Sequence, residues 1–312
     1  MKRTIEISTR GTRLFLDAGR LVVHRDEEDL ARIPLEDLGV VVLDSTGVSI
    51  SSGALKALAE AGCAVLACDD THHPNGLFLP LAANSLHGER IQLQADAGIP
   101  LRKNLWARIV QRKILNQALI CSGAIERGLI GLSAKVRSGD PGNCEAQAAR
   151  LYWAQIFRGV DTIEQPFHRF REGPPPNGLL NYGYALIRAL VARSLCAAGL
   201  HPALGLHHRN RYNAFALADD LMEPFRPVVD GVVLGLVRSG VASVHKESKQ
   251  ALLEILTAQV EVEGQSVSVE LAAERAASGL AKALVAAVKD GDAAPIAAEH
   301  LCLPAIRRRT AS

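Results

Sequence analysis

The 312-residue chain reads as an α+β protein, a small β-rich N-terminal domain over residues 1–84 followed by a larger all-α domain over residues 85–312. Three observations predict this. The length is about twice that of a typical domain. Up to Ser85 the apolar residues alternate or form short runs, whereas beyond Leu81–Ser85 they recur with a period near 3.6. Turn and capping residues fall where those patterns break.

In the first part, Thr4–Ser8 alternates. Arg13–Asp17 and Arg20–His24 flank Ala18-Gly19 and read as a hairpin with a two-residue turn, the start of an antiparallel sheet. Gly39–Leu43 and Cys63–Cys68 are short buried strands. Between them Ser51–Ala61 has helix-forming composition, capped by Ser51 or Ser52. His72-His73, before Pro74-Asn75-Gly76, reads as a surface turn without an acidic partner at a useful spacing.

The helical part opens clearly at Asn104. Leu105, Trp106, Ile109, Val110, Ile114 and Ala118 share one arc, into which Lys113 and Gln117 intrude. Asp140-Pro141 places a capping residue before a proline at the first helical position, and Glu145 then lies in an early turn. Gly173–Gly178, with three prolines, breaks the helices. They resume at Leu179–Ala198 and at Ala214–Met222, the latter ending before Pro224 and Pro227. Further helices are predicted at Lys249–Val260 and Ser268–Lys289, with a short, basic, frayed tail from Ile306 to Ser312.

Hydrophobic residues form 48% of the chain and charged residues 22%, which excludes a disordered chain. No apolar run approaches the roughly 18 residues of a membrane span. The N-terminus lacks the apolar core of a secretory signal, so a cytoplasmic protein is expected. Six cysteines without a C-x-x-C pair read as reduced core residues. The absence of a nucleophile elbow and of a Gly-rich phosphate loop counts against serine hydrolases and nucleotide folds.

The net charge of +2 averages two unlike parts. Residues 1–85 carry 8 basic and 12 acidic side chains, the remainder 27 and 21. Arg102, Lys103, Arg108, Arg112 and Lys113 cluster, as do Arg169 with Arg171 and His207 to Arg211 with Arg209 between them. Each cluster alone is more often a solvated face, but together in one helical domain they suggest a polyanion surface.

The chemistry-bearing stretch runs from Gly205 to Asp230. On a helix Asp220 and Glu223 stand three apart on one face and can converge on a hard cation such as Mg²⁺ or Mn²⁺. An imidazole from His208 would add a nitrogen ligand suited to Mn²⁺. From spacing alone the commoner reading is a pair of solvated residues, paired with Arg226. Glu145 by itself is an ordinary early-turn glutamate.

Three strings carry a resemblance: Gly205-Leu-His-His-Arg-Asn210, Leu217-Ala-Asp-Asp-Leu-Met-Glu-Pro-Phe-Arg-Pro227 and Asn177-Gly-Leu-Leu-Asn-Tyr-Gly-Tyr184, with Gly199-Leu-His-Pro202 between them. The chain resembles, over its whole length, the CRISPR-associated integrase/endonuclease of the adaptation module, in its type II-like form. The resemblance implies a metal site of Glu145, His208, Asp220 and Glu223 holding Mg²⁺ or Mn²⁺. His208 matches the family's single motif histidine, His207 is a supporting neighbour, and Glu223 ranks slightly above Asp220 as a direct ligand.

It further implies insertion of short DNA fragments into a repeat array by 3′-hydroxyl attack, in antiviral defence. Implied partners are a second copy docking through the β-rich domain, a small second adaptation protein bridging two dimers, and the large RNA-guided nuclease as a further candidate. Arg102, Lys103, Arg108, Arg112, Arg169, Arg171 and Arg209 are the expected DNA-phosphate contacts. Two other function classes stay open: a non-catalytic DNA-binding scaffold of the same fold, and a metal-dependent phosphohydrolase acting on small phosphoesters.

Overall fold

The structure is a computed structural model that describes residues 2–307 except 71, 73, 82, 171 and 209. It begins with strands β1 (Arg3–Ile7), β2 (Arg13–Asp17), β3 (Arg20–Arg25), β4 (Glu28–Pro34), β5 (Leu38–Leu43) and β6 (Ser49–Ile50). Helix α1 (Ser52–Glu60) and strands β7 (Ala64–Cys68) and β8 (Pro74–Phe78) complete this part.

The β2–β3 hairpin forms in the expected register, Asp17 opposite Arg20. Its turn needs left-handed backbone at both central positions, and Ala18 (φ 46°) and Gly19 (φ 74°) supply it. Ser51 caps α1, its side chain accepting from the Ala54 amide.

The strands form two sheets. One has the order β4-β3-β2-β6. The other, β1-β5-β7-β8, pairs β1, β5 and β7 in parallel and adds β8 antiparallel. Thr4–Ser8 therefore does not extend the hairpin, because its partner is the later apolar strand.

That mixed sheet is buried on both faces, which is why β5 reads as a continuous apolar run. Val40, Val42, Leu66 and Cys68 point into the core of the helical part. Ile7, Leu38, Val41 and Val65 point into a separate core with the hairpin and α1. The period-two alternation of a strand thus fastens the two parts together. Pro74-Asn75-Gly76, expected as a surface turn, instead opens the edge strand β8, where a proline costs no ladder bond. His72 meets the buried Asp44 at 3.0 Å, a partner distant in sequence, and His73 lies outside the described residues.

The helical part comprises α2 (His87–Asp96), α3 (Ile99–Ile120), α4 (Gly123–Ser133), α5 (Cys144–Trp153), α6 (Asn177–Ala197), α7 (Ala216–Met222), α8 (Arg226–Arg238), α9 (Lys246–Leu253), α10 (Val269–Val288) and α11 (Ala294–Ala298). Sequence periodicity did not single out α2 and α4. A small three-stranded sheet interrupts the helices, made of β9 (Gln259–Val262), β10 (Gln265–Ser268) and β11 (Ala305–Ile306) in the order β10-β9-β11. The helix expected through Val260 therefore stops earlier, because Val260 and Val262 alternate inward as a strand. Ile306, expected in a frayed tail, is paired in β11, and residues 308–312 lie outside the described residues.

Pro224 and Pro227 do not end the chain's helical path. Pro224 sits in a one-turn 3-10 segment, Glu223–Phe225, and Pro227 in the first turn of α8, where a missing amide costs nothing. None of the six cysteines is in a disulfide, and four are buried. No helix among the described residues is long and apolar enough to cross a membrane.

Candidate metal centre and its surroundings

Glu145 is placed by an unusual cap. Asp140 is not the residue directly before the helix, as the Asp140-Pro141 pair suggested. It lies in a left-handed turn ahead of α5 (φ 50°), and its carboxylate reaches forward to accept the Cys144 and Glu145 amides, each at 2.9 Å. A carboxylate at a helix N-terminus satisfies orphan amides and complements the helix dipole. Glu145 is thereby fixed as the second residue of α5.

Asp220 and Glu223 turn their carboxylates to different partners. Asp220, on α7, has no solvent-exposed side-chain surface. Its Oδ2 accepts the amides of Leu206 at 2.7 Å and His207 at 2.9 Å, and Oδ1 accepts the His208 amide at 3.3 Å and faces His208 Nδ1 at 2.5 Å. One buried carboxylate thus shapes the Leu206–His208 loop and orients the imidazole, leaving Nε2 as the ring nitrogen available to a ligand. Gly205 is required for this approach, since a Cβ there would stand 2.3 Å from the His208 carbonyl oxygen and 3.2 Å from Asp220 Oδ2. His207 stacks flat on Trp106, centroids 4.2 Å apart, and so packs beside the loop.

Glu223 follows α7 in the 3-10 turn, which Asn116 of α3 clamps by donating to the Pro224 carbonyl at 2.7 Å. Its Oε1 meets Arg226 Nε at 2.9 Å and its Oε2 meets Lys113 Nζ at 2.5 Å. Lys113 also donates to Glu145 Oε1 at 2.7 Å. The carboxylates of two helices therefore meet on one ammonium, whose side chain is 12% exposed. Lys113 and Gln117, which intruded on the apolar arc of α3, face this centre and not solvent.

The electrostatics follow from burial and partners. Burial pushes the Glu223 carboxyl up, but Arg226 and Lys113 outweigh it and hold it below its ordinary value. Burial disfavours the Lys113 ammonium, yet Glu223 and Glu145 keep it charged well above pH 7. His208 is raised by its hydrogen bond to Asp220, and the charges of Asp220, Glu223 and Glu145 add to this.

Among the described residues no three His, Cys, Asp or Glu side chains are drawn together closely enough to hold a metal as they stand. Lys113 fills the space between Glu145 and Glu223. The donor set nevertheless suits a hard divalent ion. An ammonium already stands between oxygens of Glu145 and Glu223, and the buried Glu223 Oε2, despite its close ion pair, has no contact with hydrogen-bond direction.

A second layer was not legible as functional. Asp230 of α8 accepts the hydroxyls of Tyr184 and, at 3.0 Å, Tyr152. Burial pushes its carboxyl up to about 6, against those hydrogen bonds. Arg226 and Arg169 lie over the Tyr184 ring at 4.6 and 5.3 Å. The sequence had marked its parts without joining them: Asp230 ends the chemistry-bearing stretch, Arg169 is one of the expected DNA contacts, and Asn177 to Tyr184 is one of the strings that carry the resemblance, on a helix that is buried over most of its length.

The basic residues separate. Arg102 and Lys103 line a cavity of about 230 Å³ with Trp106 and His207. By the helical repeat Arg108 falls on the far side of α3 from Lys113 and Arg112 about a quarter-turn from it, and Arg112 is half-buried, under the opposing influence of the Arg108 and Glu261 charges. Arg169, held by Asn177 and Asn181, lines a cavity of about 780 Å³ together with Arg188 and Arg226. Arg171 and Arg209 lie outside the described residues.

Comparison with known proteins supplies a family. Residues 5–129 and 142–259 match the family described as CRISPR associated protein Cas1. The chain is 38% identical over 274 residues to the CRISPR-associated endonuclease Cas1 of Neisseria meningitidis serogroup C, covering 86% of this chain and 88% of that one. A Pyrobaculum aerophilum protein named CRISPR-associated endonuclease Cas1 2 is 30% identical over 298 residues, covering 90% and 98%. Among solved structures, a Cas1 protein from Thermotoga maritima superposes with a TM-score of 0.72 at 19% identity, covering 91% of this chain and 97% of that one. A casposase bound to integration product gives 0.70 at 18% identity, covering 91% of each chain.

Proposed function

The chain belongs to the Cas1 family of CRISPR-associated proteins, and from that premise we propose that it is a metal-dependent DNA endonuclease and integrase that joins short DNA fragments to a CRISPR repeat. The observation that carries the proposal is the meeting of Glu145 and Glu223 on one cation, beside a histidine oriented by Asp220. Relatives named as endonucleases and a casposase caught with its integration product support the reading.

In this reading Glu145, Glu223 and His208 Nε2 hold Mg²⁺ or Mn²⁺, and Asp220 acts from behind His208. The ion, when bound, polarises the attacking 3′-hydroxyl and offsets the charge that develops on phosphorus. The hydroxyl loses its proton, a new bond forms to phosphorus, and the bond from phosphorus to the repeat's 3′-oxygen breaks, that oxygen regaining a proton. One phosphodiester replaces another, so no external energy source is needed. With water as nucleophile the same centre cleaves.

The protein's own groups position the strands. Arg169, Arg188 and Arg226 share one cavity, and Arg169 and Arg226 also line the smaller cavity beside Glu223, so a phosphate chain entering the first is led toward the second. Burial of the guanidiniums on Tyr184 limits their rotamers and keeps their charge aimed inward. A second copy of the chain and a small second adaptation protein are the proposed partners. A solved Cas6-RT-Cas1–Cas2 complex, similar in fold to this chain over about a third of the length of the chain matched, supports the second of these.

The test is incubation of the protein with Mn²⁺ or Mg²⁺, a fragment bearing free 3′-hydroxyls and a supercoiled plasmid containing a repeat. Joined products are expected. Turnover of small nucleotides with indifference to the plasmid would favour a phosphohydrolase, and DNA binding without metal uptake would favour a scaffold.

A further inference from the structure

We propose that the Lys113 ammonium is a resident counter-cation that a divalent ion must displace, and that Gln117 is the acceptor that receives it. The inference rests on the metal-centre reading above and adds a control on how that centre is loaded.

Two independent observations carry it. First, Lys113 Nζ lies 2.7 Å from Glu145 Oε1 and 2.5 Å from Glu223 Oε2, so it occupies the point at which both carboxylates would bind an ion. An ion and an ammonium cannot share that position, and binding becomes an exchange of one cation for another. The ammonium also relieves the repulsion of two carboxylates in a site where Glu223 is 7% exposed, which holds the two side chains together.

Second, the same helix provides a destination. Gln117 follows Lys113 by four residues, so the two side chains are neighbours on one face of α3. Gln117 is 2% exposed, and its Oε1 is buried with no hydrogen-bond partner. A buried carbonyl oxygen left unmatched is a cost that the folded protein rarely carries without a use. Both side chains line a cavity of about 250 Å³ that also holds Asp230 and Tyr184, enough room for an ammonium to swing from the carboxylates onto that oxygen. Lys113 at the carboxylates and Lys113 at Gln117 are then the two states, and the metal selects the second by its larger charge at the first.

The consequence is a threshold. Adventitious cations at low concentration do not load the centre, because they must expel a paired, buried ammonium; an ion brought with a phosphate strand has the additional contacts to do so.

The experiment is a double-mutant cycle on Mn²⁺ affinity, read by titration calorimetry and by the Mn²⁺ electron paramagnetic resonance signal, on full-length protein without DNA. Lys113→Met keeps length and removes the competitor, and is expected to bind Mn²⁺ roughly tenfold or more tightly than wild type. Gln117→Met removes the acceptor without touching a charge, and is expected to weaken binding several-fold. The double variant is expected to match Lys113→Met, because without the ammonium Gln117 has nothing to receive.

Equal affinity in wild type and Lys113→Met, or weaker binding by a Lys113→Met protein that melts like wild type, overturns the proposal while leaving the metal centre standing. Absence of Mn²⁺ binding in both overturns the metal centre itself. If Lys113→Met does not fold, Gln117→Met decides alone, since unchanged affinity there removes the receiving half of the exchange.

Discussion

Nδ1 of His208 lies 2.5 Å from Oδ1 of Asp220, a carboxylate that also accepts the amides of Leu206 and His207. With the His208 amide, which it also accepts, four contacts converge on this one buried side chain and make Asp220 the frame of the histidine loop. His208, with 45% of its side chain exposed, depends on that frame more than the frame depends on it.

Asp220→Ala is therefore expected to cost about 3 kcal/mol of stability, because it leaves buried amides unmatched, while His208→Ala costs less than about 1 kcal/mol. Urea denaturation of the two variants checks this. Equal stability of Asp220→Ala and wild type would show that the loop is held by something else.

Gly205→Ala places a methyl group 2.3 Å from the His208 carbonyl oxygen, so the loop has to move. The expected outcome is a loss of roughly 2 kcal/mol with a loss of strand transfer far larger than that destabilisation explains. Integration assays below the melting temperature separate the two effects, and full activity would rule out a need for the tight loop.

Asp230 gives a pH signature. Its carboxyl stands at about 6 in the folded protein, raised by burial from 3.8. Between those values the folded chain binds more protons than the unfolded one, so this group's contribution to stability falls as pH rises through that window. The stability of wild type relative to Asp230→Asn should drop by about 3 kcal/mol from about pH 4 to about pH 7. A pH-independent difference between the two proteins would contradict the buried ionisation.

The basic residues should separate in DNA binding as they do in space. Reversal of Lys103 and Arg169 to Glu should reduce the slope of log affinity against log salt by about 1 to 2, one phosphate contact being worth about 0.9. Arg108→Glu, on the far side of α3, should change it less. The reverse order would place the strands on the opposite face.

The legibility of the chain followed the range of the forces involved. The hairpin, β5, β7, α6 and α10 were visible because each is set by local periodicity and a cap or turn. The edge strand β8 and the sheet around β9 were not, since their partners are remote in sequence. At the candidate centre, the ligating residue types were visible in the strings around His208 and Glu223. Glu145 was not distinguishable by spacing and rested on resemblance alone. The missed contributor, Lys113, had left a signal: a charge on an apolar arc, followed one turn later by Gln117, which a packed helix does not tolerate without a buried partner. That the partner was Glu145 and Glu223 required the fold.

Whether Glu145, Glu223 and His208 hold a divalent ion is decided by anomalous diffraction from crystals soaked in Mn²⁺. The expected result is a single anomalous peak between the Glu145 and Glu223 carboxylates within bonding distance of His208 Nε2, with the Lys113 ammonium moved away. A peak elsewhere, or none at saturating Mn²⁺ with Lys113 still between the carboxylates, would contradict it.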